Sequence, residues 1–541
     1  MKIFEQQIIK IFFYSIAILF VFFTFYGLDW GKPFYFHPDE RNIASSVSQL
    51  SFPNQLNPHF FAYGSLPIYL VHAVGIFLNF IEHQPTLSPV VTFDQAIILG
   101  RLISALLTLA SCVLVYKVTR LLSGQKTATL SAIFFMTSVA FLQFSHFGTF
   151  EVWLSFLSLL TAYFFILYLP AGRKLYFAIA SGLIGLLTAI KLSSIVLLVI
   201  PSYLILLQQA SYKFSGRKIV DGLRLVFIFL YFSIFLYVIT APFNILDSSS
   251  FSNSMKYERE VAMGTLKVFY TGSFYDKLPI IFQYEKVLPF LINPILTLLS
   301  IPAFFYCVFR FIKKRDLGLG IIILFFLSLF VSSSVLYVKW TRYLVPSIPF
   351  LYIMVAIFLG RLFQKAKPLK FTLVIITIGI ICSIFAYSFL KTVRINQDTR
   401  IASRDFAVNT IPSEAKILSE VYDMGIVPFN DNFHQITLFN FYDLDNDPAK
   451  INELPDALSN SEYIILPSQR IYKSRILDPQ HFPNGYDFYK KLFEGSLGFE
   501  KIYETPCDIF CKITYAGNPV FNVEETANVF DRPNIFIFKR K

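Results

Sequence analysis

The sequence predicts an all-α polytopic membrane domain of about eleven transmembrane helices, followed by a small soluble α/β or α+β domain. Three observations predict it. Of 541 residues, 55% are hydrophobic and only 15% charged, well beyond the roughly 45–50% apolar and 25% charged of soluble domains. Apolar runs near the length that crosses a bilayer recur as far as residue 390. Beyond it the runs shrink to strand length between turn signals. A soluble enzyme is excluded.

Lipid offers backbone groups no partner except each other, so an uncharged apolar run of about 20 residues reads as a membrane helix. The runs fall at 8–27, 97–118, 128–146, 152–169, 175–190, 195–209, 225–242, 288–311, 319–337, 343–362 and 371–390. The first carries Lys2 and Lys10 on its amino side and no small-residue cleavage pattern after it, so it is expected to be an uncleaved anchor with a cytoplasmic amino end. Cytoplasmic segments then hold nineteen Lys and Arg against three acids, Glu5, Asp221 and Asp316. This is the positive-inside pattern. It accounts for the net charge of +12, leaves the outer side slightly acidic, and leaves no basic surface for nucleic acid.

The shorter run Leu66–Ile81, with Pro67 and His72, would move Lys117, Arg120 and Lys126 to the outside if it crossed. It is therefore expected to lie in the interface. The odd span count places 391–541 outside the membrane. That segment predicts strands at 416–421, 435–442, 462–467 and 534–539 and helices near 399–410 and 485–494. The expected organisation is a transmembrane domain over 1–390, with outer-face loops 28–96 and 243–287, and an extracytoplasmic soluble domain over 391–541. Cys112, Cys307 and Cys382 lie in spans and read as small buried apolar residues. Cys507 and Cys511 lie outside, where a disulfide between them is open to question.

Chemistry must come from polar residues near the outer face, because the spans contain few. Directly after the first span stands Phe36-His37-Pro38-Asp39-Glu40-Arg41. An acid at this place caps a helix or does chemistry. Glu151 follows at a tight aromatic turn that the topology puts on the same face. Four bases contravene the positive-inside rule by standing at outer span ends: Arg101, Lys191, Lys339 and Arg342. Each alone reads as a snorkelling side chain. Together they suit an anionic group at the lipid–water boundary, and Arg in particular pairs with phosphate through two donors at once. Acids facing such bases suit a carboxylate that deprotonates an acceptor while a lipid-linked phosphate leaves a sugar. The loop 243–287, with Tyr257, Glu258, Arg259, Tyr270, Tyr275 and Tyr284, is long enough to fold over the site.

Residues 1–390 resemble the GT-C type polytopic membrane glycosyltransferases, specifically the bacterial branch related to protein O-mannosyltransferases and the lipid A aminoarabinose transferase. The likeness is carried by His37-Pro38-Asp39-Glu40-Arg41, by Ala62-Tyr63-Gly64-Ser65-Leu66-Pro67, by Gly100-Arg101-Leu102, by the segment from Gly182 to Lys191, and by Arg342-Tyr343-Leu344-Val345-Pro346. The resemblance implies that Asp39 is the catalytic base, with Glu40 its neighbour and Glu151 the second acid, where the family usually has Asp. It also implies a polyprenyl-phosphate-linked sugar donor, an inverting transfer, and a lipid, glycan or protein acceptor on the outer face of the cytoplasmic membrane. Arg101, Lys191, Lys339 and Arg342 are the expected phosphate-binding residues. His37, His59, Tyr63, His146 and Tyr343 are expected acceptor or sugar contacts. No cofactor is required on this reading. The histidines with Asp39 and Glu151 could in principle hold a divalent metal, although the histidines lack helical ligand spacing. The alternative function is a transporter or flippase of a lipid-linked or anionic solute, which would place charges near the bilayer midplane in two related halves. Here the charges stand at span ends.

Overall fold

The computed structural model describes residues 2–83, 90–210, 216–363 and 368–541. It is mostly helical up to residue 395 and ends in a domain built on one small sheet. Among the described residues, eight helices are long and apolar enough to cross a bilayer: Gln7–Phe25, Phe93–Ser123, Glu151–Ala171, Val220–Thr240, Pro294–Lys314, Leu317–Ser334, Thr341–Leu362 and Thr372–Ile395. Three shorter apolar helices, Ser65–Ile81, Lys174–Ile190 and Leu192–Leu207, pack with them. The chain is a multi-pass membrane protein.

The departures from the expected runs have local causes. The run 128–146 breaks at Thr137 into helices Gln125–Met136 and Val139–Phe144. There the Thr137 hydroxyl turns back to donate to the Ile133 carbonyl at 2.8 Å, next to the extended Ser138, a competition with the helix ladder typical of these side chains. The run 343–362 begins as a tight 3-10 turn, Thr341–Ser347, before the helix Ile348–Leu362. Pro346 and Pro349 remove amide donors there and favour the tighter start. The run 66–81 forms the helix Ser65–His83. With Pro38–Gln49 and the start of Phe93–Ser123 it builds an apolar cluster of its own, including Ile43, Val47, Ile68, Val71 and Ile97.

The C-terminal domain carries five strands: β1 Lys416–Glu420, β2 Gln435–Phe439, β3 Tyr463–Leu466, β4 Phe499–Glu504 and β5 Phe536–Arg540. Their order is β2-β1-β3-β5-β4. β1 runs parallel to β2 and β3, whereas β5 runs antiparallel to β3 and β4. Four strands and the helices Thr399–Thr410 and Pro483–Phe493 fall where the hydropathy pattern puts them. β4 escapes that pattern because it is an edge strand carrying Glu500, Lys501 and Glu504, the charged composition that edges use against further pairing. Cys507 and Cys511 form a disulfide.

The domain is locked to the helical bundle by buried polar contacts. Asp531 accepts from Arg394, at the end of the last span, and from Gln143 in Val139–Phe144, each at 2.7 Å. Glu524 accepts from the Thr341 hydroxyl at 2.5 Å. Phe290 stacks on Tyr515 with ring centroids 5.7 Å apart. Arg394 and Asp531 are at most 2% exposed, so breaking one partner strands a buried charge, which costs about 3–5 kcal/mol. Asp531→Ala should therefore loosen the domain. The expected outcome is a lower thermal unfolding midpoint and faster protease release of a fragment beginning near residue 395.

Candidate catalytic cavity

The first outer segment enters a helix, Pro38–Gln49, for reasons visible in its first turn. Pro38 occupies the first helical position and Asp39 and Glu40 follow, a proline and two acids where the helix dipole favours them. His37 stands at the cap position but makes no side-chain capping bond. The two neighbouring acids then point to different partners.

Glu40 turns inward. Its carboxylate receives both Nε and Nη2 of Arg101 at 2.9 and 2.8 Å, and the Gly148 amide at 2.6 Å. Arg101 spends its remaining reach on the Leu28 and Trp30 carbonyls and lies over the Trp30 ring, 4.6 Å from the centroid. Both side chains are at most 1% exposed. This is a sealed pair. Burial works against ionisation of Glu40, but the Arg101 charge and bonds outweigh it and hold the carboxyl below its ordinary value.

Asp39 turns outward, onto Arg342. The pair is part-exposed and lines a cavity of about 270 Å³. Burial again opposes ionisation, and the adjacent Arg342 guanidinium, His37 and the Tyr63 hydroxyl together hold the Asp39 carboxyl below its ordinary value. Tyr63 reaches the site because Gly64 packs directly on the 189–190 backbone: its amide donates to the Ile190 carbonyl at 2.8 Å, and a Cβ there would fall 1.7 Å from the Ala189 oxygen. Only glycine fits. Arg342 Nε, buried, has no hydrogen-bond partner among the described residues, so one donor remains for a ligand.

Of the expected site residues, Asp39, Arg342, His37 and Tyr63 line this cavity together. Lys191, Tyr343 and Glu151 stand behind it. The Lys191 ammonium sits 3.9 Å from the centre of the Tyr343 ring and 4.9 Å from that of Phe150. Glu151 is buried within electrostatic reach of Arg342 and Lys191 and leaves Oε2 without a partner among the described residues. The other expected residues are placed differently. Arg101 and Glu40 satisfy each other. Lys339 donates to the Leu336 and Tyr337 carbonyls at 2.7 and 3.2 Å. His146 spans the Leu142 and Tyr26 carbonyls at 2.8 and 2.9 Å, tying the first span to the bundle. His59 is exposed, contacts Gln55 at 2.7 Å and does not line the cavity. No group of three or more metal-ligating side chains occurs among the described residues.

The remaining wall comes from two distant segments. Glu258 and Tyr270, from the loop 243–287, reach over one side. Burial pushes the Glu258 carboxyl up. Arg470, Glu525, Thr526 and Phe530 of the C-terminal domain close another, with Phe530 packed on His37 at 4.4 Å between ring centres. Glu525 faces Arg470 at 3.8 Å, and burial pushes its carboxyl up to about 8. These four residues carry no local motif; the docking of the C-terminal domain, through Glu524 on Thr341 and Asp531 on Arg394 and Gln143, brings them to the site.

A family model described as dolichyl-phosphate-mannose-protein mannosyltransferase matches residues 92–240. No curated protein matches the chain in sequence. The oligosaccharyltransferase of Archaeoglobus fulgidus superposes over 98% of this chain and 88% of its own, at 12% identity and a TM-score of 0.53. A structure of that protein holds an inhibitory peptide and a dolichol-phosphate. ArnT of Cupriavidus metallidurans, bound to undecaprenyl phosphate, covers 84% of this chain and 92% of its own, at 13% identity and a TM-score of 0.50. The chain has the fold of these two proteins, the GT-C fold. The match to the mannosyltransferase model includes Arg101, Glu151 and Lys191, whereas Asp39 and Arg342 lie outside it.

The sealed and the open acid should respond differently to mutation. Arg101→Ala strands the Glu40 carboxylate and should cost about 3–5 kcal/mol, read as a fall in unfolding midpoint; Asp39→Asn, at a part-exposed pair, should shift it far less. Glu525 gives a second expectation. Between the ordinary carboxylate value and about 8, the folded chain keeps a proton that the unfolded chain has released, so stability falls as pH rises through that window. Glu525→Gln should flatten this slope in denaturation midpoints measured across it.

Proposed function

We propose that the protein transfers a sugar from a polyprenyl-phosphate donor to a lipid, glycan or protein acceptor on the outer face of the cytoplasmic membrane, with inversion. The observation that carries the reading is the Asp39–Arg342 pair lining a cavity in a chain of GT-C fold. The orientation follows from the positive-inside count, which puts the basic loops in the cytoplasm and the cavity with the C-terminal domain outside. The lipid phosphates named in the two superposed structures, dolichol-phosphate and undecaprenyl phosphate, are what a polyprenyl-phosphate donor leaves behind, and they fit a site where an arginine stands at the edge of an apolar bundle.

In the proposed reaction the donor phosphate takes the Arg342 fork from Asp39 and uses the unpartnered Nε. Asp39, released and already ionised at neutral pH, accepts the acceptor's proton. The acceptor atom attacks the anomeric carbon, the bond from that carbon to the phosphate oxygen breaks, and the electron pair leaves with the lipid phosphate. Arg342, backed by Lys191, stabilises the charge that grows on the leaving oxygen. A single displacement inverts the anomeric centre. Glu151 lies buried within electrostatic reach of Arg342. Glu258 and Tyr270 face the cavity from the side that an acceptor or sugar approaches. No resident cofactor or metal takes part in this scheme.

The test is transfer from a polyprenyl-phosphate sugar in liposomes. Asp39→Asn should lower turnover by roughly 10²–10⁴-fold, the range general-base catalysis supplies, while donor binding persists. Arg342→Ala should weaken donor binding instead. Turnover unchanged in Asp39→Asn removes the assigned base. Because Arg342 holds the Asp39 carboxyl below its ordinary value before the donor binds, the acid limb of the kcat/KM profile should sit below the ordinary carboxylate range.

A further inference from the structure

A second cavity of about 720 Å³ lies between the first span and the helices Phe93–Ser123 and Gln125–Met136. It shares no lining residue with the catalytic cavity. Its polarity is graded along the helices. Lys10 and Tyr14 stand on the first turns of the first span to line it, Tyr116 near the end of Phe93–Ser123, and Gln125 and Lys126 at the start of Gln125–Met136. Phe93–Ser123 runs opposite to the first span, so these polar groups gather at one end. Phe20, Val21, Leu109 and Met136 form the other. Lining residues on the first span extend from Ile9 to Val21, roughly 18 Å of helix at 1.5 Å per residue, which is the depth of an acyl chain in one leaflet.

Only 17% of the first span is buried within the chain, and Tyr14 and Val21, which line the groove, are exposed. Two lysines with hydroxyl and amide donors at the polar end match a phosphodiester, and the apolar trough below matches its tails. We propose that this groove binds an anionic phospholipid, with the headgroup between Lys10 and Lys126 and one acyl chain against Ala17, Phe20 and Val21, and that the bound lipid holds the first span to the bundle. The groove lies at the end of the bundle that bears the basic loops, remote from the donor cavity, so a polyprenyl phosphate placed for transfer does not occupy it.

The test is native mass spectrometry and thermal unfolding of the full chain in nanodiscs of phosphatidylcholine with and without phosphatidylglycerol. One phosphatidylglycerol should be retained per chain, roughly tenfold or more over phosphatidylcholine, the order two cation–phosphate contacts supply. It should raise the unfolding midpoint. Lys10→Ala with Lys126→Ala should lose both effects, and Lys10→Arg with Lys126→Arg should keep them. Ala17→Trp, which fills the trough, should lose retention with both lysines present. Equal retention of the two lipids, retention unchanged in the double alanine variant, or displacement of phosphatidylglycerol by undecaprenyl phosphate would overturn the proposal. None of these readouts depends on sugar transfer.

Discussion

The geometry of the Asp39–Arg342 cavity depends on the buried pair Glu40–Arg101. Two adjacent acids at a helix start would otherwise compete for whatever cation came near. Arg101 takes Glu40 in a bidentate grip and is itself held by the Leu28 and Trp30 carbonyls, so the Pro38–Gln49 helix is fixed in rotation. One residue earlier, Asp39 then has one direction left, toward Arg342 and the cavity. The Gly148 amide on the same Glu40 oxygen extends the grip to the turn before Glu151. A sealed charge pair thus sets the direction of one that is open to the cavity.

The cavity itself is a joint product of two domains. The helical bundle supplies Asp39, Tyr63 and Arg342, and the C-terminal domain supplies Arg470, Glu525 and Phe530. The joint is made of buried hydrogen bonds and ion pairs, in which an unmatched group is penalised more heavily than an apolar contact is missed. Asp531 between Arg394 and Gln143, and Glu524 on Thr341, therefore specify one docked position. That position closes a wall of the cavity and shields the Asp39–Arg342 pair from bulk water. Shielding strengthens the electrostatics on which phosphate stabilisation would rely.

Much of this was legible in the sequence, and the limits have physical reasons. Hydropathy gives the spans because lipid forbids unpaired backbone. Where the chain satisfies itself in other ways, as at Thr137 or the 3-10 turn Thr341–Ser347, the run stays apolar while the helix breaks. The outer bases were visible as violations of charge topology, but topology cannot tell a base facing a cavity from one already matched. Arg342 faces the cavity, Arg101 is spent on Glu40, and Lys339 on backbone carbonyls. His146 likewise bridges two helices. Arg470 and Glu525 had no signal at all, because their place depends on contacts more than a hundred residues away in the chain.

In the proposed transfer Arg342 takes the leaving phosphate and Asp39 the acceptor, with the anomeric carbon between them. An electron-microscopy structure of the full chain in nanodiscs with a non-transferable polyprenyl-phosphate sugar tests this most directly. The expected structure has the phosphate on Arg342, the Asp39–Arg342 contact opened, and the anomeric carbon facing Asp39. A phosphate bound elsewhere on the chain, with the Asp39–Arg342 pair still closed, would contradict it.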